Sequence, residues 1–282
     1  MPVPAPSDLP LPDVLAHRLR QLLPDWAHVA WLPVSGSTNT DLLAQARAGE
    51  PMPRLLGTHA QTAGRGRANR NFRTDPGDAL MFSCAFETAL PMAALPTLSV
   101  RLGLAACEAL DSLLAPGHRL CLKWPNDLQW GEAKLAGILM ESAGSAAPGR
   151  TRLVIGLGMN LRGADALSAA LGRAVADWRM ADCAHPLDLV CATIAGRWAL
   201  ALREAESNWQ PGYGLSDLPA AFARHDALAG RAVNVLDNGL VQRQGVACGV
   251  APDGQLRLRG EHGEFLVNVG DISVRADAVA TP

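Results

Sequence analysis

The segment from Gln61 to Arg70 (QTAGRGRANR) has the composition of an anion-binding loop. Glycines at alternate positions, among them Gly66, let the backbone approach a ligand closely, and successive exposed N–H groups can form an anion-binding concavity. Three arginines add fixed positive charge with bidentate donors: Arg65, Arg67 and Arg70. These features suit a carboxylate and a phosphate lying side by side, although a solvated basic surface loop explains the segment alone equally well.

The segment Lys123-Trp-Pro-Asn-Asp127 follows an apolar stretch. Asn126 and Asp127 offer oxygens for Mg²⁺ or a ribose, and Lys123 could reach a phosphate. A plain turn is the alternative, because Pro-Asn-Asp is favourable turn chemistry.

The segment Lys134-Leu-Ala-Gly137-Ile-Leu-Met-Glu141 places a lysine at the start of an apolar strand. Burial of an unpaired ammonium group costs free energy, so Lys134 must pair with an anion or lie at the exposed start of the strand. Gly137 within a strand indicates close approach by a ligand or another backbone.

Two further segments combine small and polar residues. Gly156-Leu-Gly158-Met-Asn160 lacks the third glycine and the helix start of a dinucleotide fingerprint. Its glycines would instead leave floor space for a flat ligand, and Asn160 could bond a ribose or a loop. Ser37-Thr38-Asn39 could bind a polar ligand head or simply cap a helix.

The elements that must position these residues follow from hydrophobic patterning. Helices are predicted over 11–23, 39–48, 94–114, 186–206 and 217–228, and strands over 29–33, 55–60, 79–86, 119–123, 135–141 and 152–158. The segment 126–134 is predicted as a hairpin connection. From residue 231 onward, short β segments with turn signals predict a small β-barrel, with a domain boundary near 224–228.

Composition limits the class of protein. The 282 residues are 49% hydrophobic and carry a net charge of −2, which favours a compact α/β or α+β protein without broad nucleic-acid or membrane binding. The sequence has no run of 18 apolar residues, so we expect no membrane span. Its first residues lack a basic and an apolar region, so we also expect no secretory signal. Its six scattered cysteines favour small buried side chains in a reduced, cytoplasmic protein.

Taken together, the order and spacing of these segments resemble those of a known protein family, although no single segment does so alone. GSTN, QTAGRGR, KWPND, KLAGILME and GLGMN occur in the order seen in biotin–protein ligases, and DISVR near the end resembles their C-terminal domain. The resemblance implies an α+β fold with a mixed sheet like that of class II aminoacyl-tRNA synthetases, plus a small SH3-like barrel. It implies an N-terminal extension at 1–30, a catalytic domain at 31–225 and a C-terminal domain at 226–282.

The resemblance also implies roles for individual residues. Arg65, Arg67 and Lys134 would be catalytic. Biotin would contact Ser37, Thr38, Asn39, Gln61, Gly66, Lys134, Gly137, Leu139, Gly156 and Gly158. ATP and Mg²⁺ would lie near Arg65, Arg67, Arg70, Lys123, Asn126, Asp127 and Asn160, with Asp127 as the metal ligand. In two departures from the family, Asn69 replaces a loop glycine and Phe72 replaces a tryptophan.

The activity so implied is biotin–[biotin carboxyl-carrier protein] ligase, with ATP and Mg²⁺ as cofactors and biotin as substrate. The expected partner is the biotin carboxyl-carrier domain of a carboxylase. We expect no DNA binding, because only about 30 residues precede the catalytic domain, and we expect a monomer or weak homodimer. A lipoate–protein ligase and a non-catalytic, biotin-responsive binding protein remain as alternatives.

Overall fold

The computed structural model describes residues 9–67, 74–147, 149–181, 184–237, 240–268 and 273–276. Its helices are α1 (Pro12–Leu22), α2 (Thr38–Arg47), α3 (Leu95–Asp111), α4 (Ala164–Leu171), α5 (Trp178–Ala181), α6 (Leu187–Asn208) and α7 (Leu218–Ala223). Its strands are β1 (His28–Leu32), β2 (Arg54–Thr58), β3 (Ala79–Thr88), β4 (Cys121–Lys123), β5 (Asp127–Trp130), β6 (Ala133–Ala147), β7 (Arg150–Asn160), β8 (Ala232–Asp237), β9 (Leu240–Val250), β10 (Leu256–Gly260), β11 (Gly263–Val267) and β12 (Ser273–Ala276).

A seven-stranded sheet in the order β1-β2-β3-β7-β6-β5-β4 forms the main body. β1 and β2 pair in parallel, and every other neighbouring pair is antiparallel. A second, smaller antiparallel sheet has the order β11-β10-β9-β8-β12. The expected α+β class, with a mixed sheet flanked by helices and a separate small sheet, is therefore confirmed.

The two faces of the large sheet have different coverings. Phe82 of β3 packs against Trp198 of α6, with ring centroids 5.7 Å apart, and the Trp198 indole N–H donates to the Leu102 carbonyl of α3. Because side chains alternate along a strand, Ser83 points to the opposite face, where it bonds Asn39 at the start of α2. Helices α3 and α6 thus cover one face, and α2 covers part of the other.

The apolar composition of helix α3 is explained by its burial in the core. The segment Met92–Asp111 is long and apolar enough, by composition alone, to cross a membrane, and 72% of its most apolar window is buried within the fold. That burial is typical of a core helix.

The turn between β9 and β10 joins the small sheet to the main body. Three consecutive carbonyls, at 252–254, accept hydrogen bonds from three separate places: the Leu215 N–H at 2.8 Å, the Thr97 hydroxyl at 2.7 Å and the Trp124 indole N–H at 3.0 Å. The turn is therefore fixed to the start of α3, to the end of β4 and to the segment before α7.

Several predicted elements differ from those observed. The expectation that 126–134 only connects two strands is wrong, because β5 forms within it and pairs on both sides, placing the buried Leu128 opposite Leu122 and Ala136. The helix predicted over 217–228 ends at Ala223, because the chain then bonds back to β4 through the Leu122 N–H and the His225 carbonyl. Helices α4 and α5 were not predicted.

Candidate active site

The candidate site lies on the α2 face of the large sheet, where the glycines of β7 meet the start of α2. In the strand register, Gly156 lies opposite Ser83 on one side and Leu139 on the other. A Cβ atom added at Gly156 would lie 2.2 Å from the Asn39 Oδ1 atom. The space over Gly156 thus admits the Asn39 side chain, and the floor beyond it continues to Gly158.

A directed chain of hydrogen bonds crosses this floor. Asn39 donates from Nδ2 to the Glu141 carboxylate at 2.8 Å, so its Oδ1 faces Ser83, whose hydroxyl donates to it at 2.6 Å. Because Ser83 has one proton, the 2.7 Å contact with Thr38 must be donated by the threonine hydroxyl. The Thr38 backbone N–H in turn donates to the Gln61 side-chain oxygen at 2.9 Å.

The segment Ser37-Thr38-Asn39 lies at the start of α2, where the sequence left a helix cap and a polar ligand site as alternatives. Ser37 occupies the N-cap position of α2 with an extended backbone, but its side chain makes no capping hydrogen bond. All three residues are buried. The side chains of Thr38 and Asn39 form hydrogen bonds to residues of the sheet. They therefore belong to the site as well as to the start of the helix.

The glycine–arginine loop lies beside this chain. Its beginning is held by backbone bonds from Thr62 to Ser35 and from Ala63 to Gly36. The Arg65 guanidinium contacts both oxygens of Glu141, at 3.2 and 3.3 Å.

Arg67, two residues further along the loop, donates to the Asn126 side-chain oxygen at 3.0 Å. Gly66 therefore lies between two arginines, one of which contacts β6 and the other the turn between β4 and β5.

Lys134 satisfies the requirement for an anionic partner. Its ammonium nitrogen lies 2.5 Å from Asp127 Oδ1, and a Cβ atom at Gly137 would lie 3.3 Å from that nitrogen. Asp127 is paired with Gly137 on β6 and with Lys123 on β4. The Lys134–Asp127 pair thus lies where β4, β5 and β6 adjoin, and Lys123 is opposite Asp127 in the strand register. The lysines of this junction could attract a phosphate.

The oxygen donors here are chemically suitable for Mg²⁺ but few. Asp127 supplies a carboxylate and Asn126 an amide oxygen, and each already accepts a bond from a cation of the site. Within the described ranges, no group of three or more His, Cys, Asp or Glu side chains could hold a metal. Because Mg²⁺ is commonly bound by one or two carboxylates together with substrate phosphates, the residues fit a Mg²⁺ that arrives with a nucleotide.

Asn160 makes contacts that stabilise a loop. Its Nδ2 atom donates to the Ala176 carbonyl at 3.0 Å and to the Lys134 carbonyl at 3.4 Å. The segment 174–176 is also bonded directly to the Lys134 backbone. Nearby in sequence, the Trp178 indole N–H is buried and has no hydrogen-bond partner within the part of the chain that the structure describes.

The structure brings together the predicted residues from all five segments. Arg70 and the two departures from the family, Asn69 and Phe72, lie outside the described residues. Two polar residues of the site, Ser83 and Glu141, were not predicted. The signal for each was present: Ser83 interrupts an apolar strand, and Glu141 shares a strand face with Gly137 and Leu139 by the period of two.

Comparison with known proteins shows which family this site resembles. Residues 31–160 match the sequence model of the Biotin/lipoate A/B protein ligase family. The biotin–[acetyl-CoA-carboxylase] ligase of Paracoccus denitrificans is 29% identical over 248 residues, covering 84% of this chain and 96% of that protein. The corresponding ligase of Mycobacterium tuberculosis is 36% identical over 140 residues, covering 48% of this chain and 50% of that protein.

Solved structures agree in fold. The biotin protein ligase of Aquifex aeolicus in complex with biotin and ATP superposes with a TM-score of 0.71 at 22% identity, covering 89% of this chain and 99% of that one. The biotin acetyl coenzyme A carboxylase synthetase of Helicobacter pylori superposes with a TM-score of 0.57 at 23% identity, covering 86% and 99%. The matched segment 31–160 contains every described residue of the predicted site. Residues 31–160 of the chain are therefore similar to the Biotin/lipoate A/B protein ligase family.

Proposed function

We propose that this chain is an ATP-dependent biotin–protein ligase, which activates biotin as biotinyl-5′-adenylate and transfers it to a lysine of an acceptor protein. The observation that carries the proposal is the convergence of three cations, Arg65, Arg67 and Lys134, on one sheet face. They lie beside the buried polar chain over the Gly156 floor, the place that we call the slot. The relatives named as biotin ligases support biotin as the substrate, and one of them aligns over 96% of its own length.

The first step joins two anions. A carboxylate oxygen of biotin attacks the α-phosphorus of ATP, an O–P bond forms, the bond to the β-phosphate breaks, and pyrophosphate leaves. Charge accumulates on the phosphoryl oxygens, so donors fixed in advance lower the barrier. We assign this role to Lys134 and Arg67, and we assign to Arg65 the binding of the biotin carboxylate.

The slot binds the uncharged part of the substrate. In this proposal Thr38, Asn39 and Gln61 offer hydrogen bonds to the polar ring of biotin, with Ser37 at the rim. The sheet floor of Gly137, Leu139, Gly156 and Gly158 contacts the flat ring system. A buried slot with few polar groups fixes the orientation of a small ligand and holds its carboxylate at the cations.

The nucleotide lies over the junction of β4, β5 and β6. Lys123, Asn126 and Asp127 line this junction, with Asn160 at its border, and we assign Arg70 to ATP binding from the sequence alone. Asp127 and Asn126 would hold a nucleotide-bound Mg²⁺, which would neutralise phosphate charge when bound. Lys134 remains close enough to Asp127 to hold that carboxylate in place.

The second step transfers biotin. The amine of an acceptor lysine attacks the carbonyl carbon of the mixed anhydride, the C–O bond to AMP breaks, and the amine loses a proton. The proposed acceptor is the biotin carboxyl-carrier domain of a carboxylase in the cytoplasm. No DNA partner is part of this proposal, and the enzyme acts as a monomer or weak homodimer.

We further assign the large sheet with its helices, residues 31–225, to a catalytic domain of the class II aminoacyl-tRNA synthetase type, preceded by an N-terminal extension. Residues 226–282 would be an SH3-like domain. The small sheet supports this division, since it is formed entirely by strands after residue 231.

Pyrophosphate release tests the first step and its substrate. With ATP and Mg²⁺ present, biotin should stimulate release and lipoate should not, and excess lipoate should not compete with biotin. Stimulation by lipoate alone would transfer the assignment to a lipoate–protein ligase. Tight biotin binding without pyrophosphate release would indicate a non-catalytic binding protein.

A further inference from the structure

Glu141 joins two parts of the site that are otherwise separate. One carboxylate oxygen accepts the 2.8 Å bond from Asn39, which belongs to the buried polar chain over the sheet floor. Both oxygens also contact the Arg65 guanidinium in the glycine–arginine loop, at 3.2 and 3.3 Å. Glu141 thus contacts both Asn39 and Arg65, although the proposed chemistry does not use it. The Arg65 guanidinium also donates to the Thr40 hydroxyl at 3.1 Å.

The two contacts differ in character. Asn39 is buried and keeps three side-chain hydrogen bonds, two as donor and one as acceptor. The Arg65 side chain is 38% exposed, and its contacts with Glu141 all come from one nitrogen. A half-exposed, monodentate ion pair is weak, so the arginine can exchange this carboxylate for another at little cost, whereas Asn39 cannot leave.

We propose that Glu141 is a positioning residue that holds Arg65 at the mouth of the slot and releases it to the carboxylate of the incoming substrate. The inference rests on the proposed function, which places the biotin carboxylate at Arg65. A ligand with a carboxylate replaces Glu141 as partner of the arginine. A neutral ligand leaves the Arg65–Glu141 pair intact and gains no binding energy from Arg65.

Charge selection follows from this exchange. In the free protein, Glu141 competes with the substrate for Arg65, which lowers the affinity for a carboxylate without changing the affinity for the ring. Glu141→Gln removes the competing charge but keeps a carbonyl oxygen that accepts from Asn39. This variant should therefore bind biotin more tightly, by about 2- to 5-fold at low ionic strength, and bind biotin amide with unchanged affinity.

The experiment measures dissociation constants of biotin and biotin amide by calorimetry, for the full chain and its variants, at low and high salt. The tightening seen with Glu141→Gln should shrink at high salt, because the competing ion pair is partly exposed. Glu132→Gln is the matched control, since Glu132 forms an exposed ion pair with Arg231 elsewhere on the surface, and it should change neither constant.

Arg65→Gln gives a second, independent measurement. It should weaken biotin but not biotin amide, and adding Glu141→Gln to it should produce no further change, because the two residues act as a pair. Glu141→Ala, which also removes the acceptor for Asn39, should weaken both ligands. Thermal unfolding of each variant establishes that the fold is retained.

Equal changes for biotin and biotin amide in Glu141→Gln, or no change for either, would overturn the inference and leave the ligase assignment intact. A wild-type protein that binds neither ligand would contradict the proposed function itself, and this inference with it.

Discussion

Asn39 and Gly156 show how closely single residues are fitted in the site. The Asn39 side chain occupies the space that a β-carbon on Gly156 would need, and from there it reaches Ser83 and Glu141 at hydrogen-bond distance. An extra atom at Gly156 cannot be absorbed by a flexible chain end, because the nearest group is a buried amide bonded on both sides.

Gly156→Ala should therefore disrupt the slot. We expect Asn39 to be displaced and biotin binding to weaken by at least about tenfold, with a loss of about 1–3 kcal/mol of stability from overpacking. Calorimetry and thermal unfolding measure these effects. Gly196→Ala in α6 is the control, since nothing lies within 4 Å of its added Cβ, and it should leave both quantities near wild type or slightly raise stability. Biotin affinity unchanged in Gly156→Ala would contradict this account of the floor.

Lys134 is the residue on which the first chemical step depends most. Its ammonium is paired with Asp127, so Lys134→Met would remove a phosphate-binding charge and leave an unpaired carboxylate facing the nucleotide. We expect the rate constant for pyrophosphate release to fall by about 10²- to 10³-fold, the usual effect of losing one preorganised donor, with biotin binding retained.

The double variant Lys134→Met with Asp127→Asn separates the two causes. Removing the stranded carboxylate should restore part of the affinity for ATP measured without Mg²⁺. The rate constant should stay low, because Asp127 is also the proposed Mg²⁺ ligand. A single variant that turns over at the wild-type rate would exclude Lys134 from the chemistry.

At the level of elements, the turn between β9 and β10 positions the end of β4. Its carbonyls bind Thr97 and the Trp124 indole, and Trp124 directly precedes the Pro-Asn-Asp segment that carries Asn126 and Asp127. A change in the turn should therefore alter ATP binding rather than biotin binding.

Gly254→Ala tests this link. Gly254 has φ +84°, and an added Cβ would lie 2.8 Å from the Thr97 backbone. We expect a loss of stability of about 1–3 kcal/mol and a KM for ATP raised several-fold, with the biotin dissociation constant unchanged. Gly49→Ala has the same φ of +84° and no neighbour within 4 Å, so it isolates backbone strain. Equal effects of the two variants would argue against a positioning role for the turn.

The sequence predicted the buried elements better than the polar ones. The apolar runs of β3 and β7 and the stripe of α6 were recognisable because their patterns are set by burial. β5 was not, since a four-residue strand with polar residues at Asp127 and Gln129 has the composition of a turn. Its strand character comes from pairing with β4 and β6, which are distant contacts that local patterning does not record.

The site shows the same limit. Individual motifs identified Arg65, Lys134 and Gly156, and also Asp127 and Asn39. That these residues contact one another, and that Arg65 contacts Glu141, became apparent only from strand register and the placement of α2. The sequence identifies the charged residues, whereas the fold determines which carboxylate each cation contacts.

At the level of the whole molecule, packing should suppress thiol chemistry. Cys84, Cys107 and Cys191 are each almost fully buried, and burial raises the pKa of all three thiols well above the ordinary value. Since the thiolate is the reactive form, these residues should resist iodoacetamide in the folded protein, while the partly exposed Cys248 is modified.

Peptide mass mapping after labelling measures this protection. In guanidinium chloride all six cysteines should be modified, which serves as the control for reagent access. Rapid labelling of Cys84 under conditions that preserve the fold would show that the core around α6 opens more readily than its packing indicates.

The most direct test of the ligase assignment is the intact mass of a purified biotin carboxyl-carrier domain after incubation with this protein, biotin, ATP and Mg²⁺. We predict a gain of one biotinyl group at a single lysine, absent when ATP is omitted and strongly reduced with the Lys134→Met variant. A carrier domain of unchanged mass, under conditions in which a known biotin ligase modifies it fully, would contradict the account.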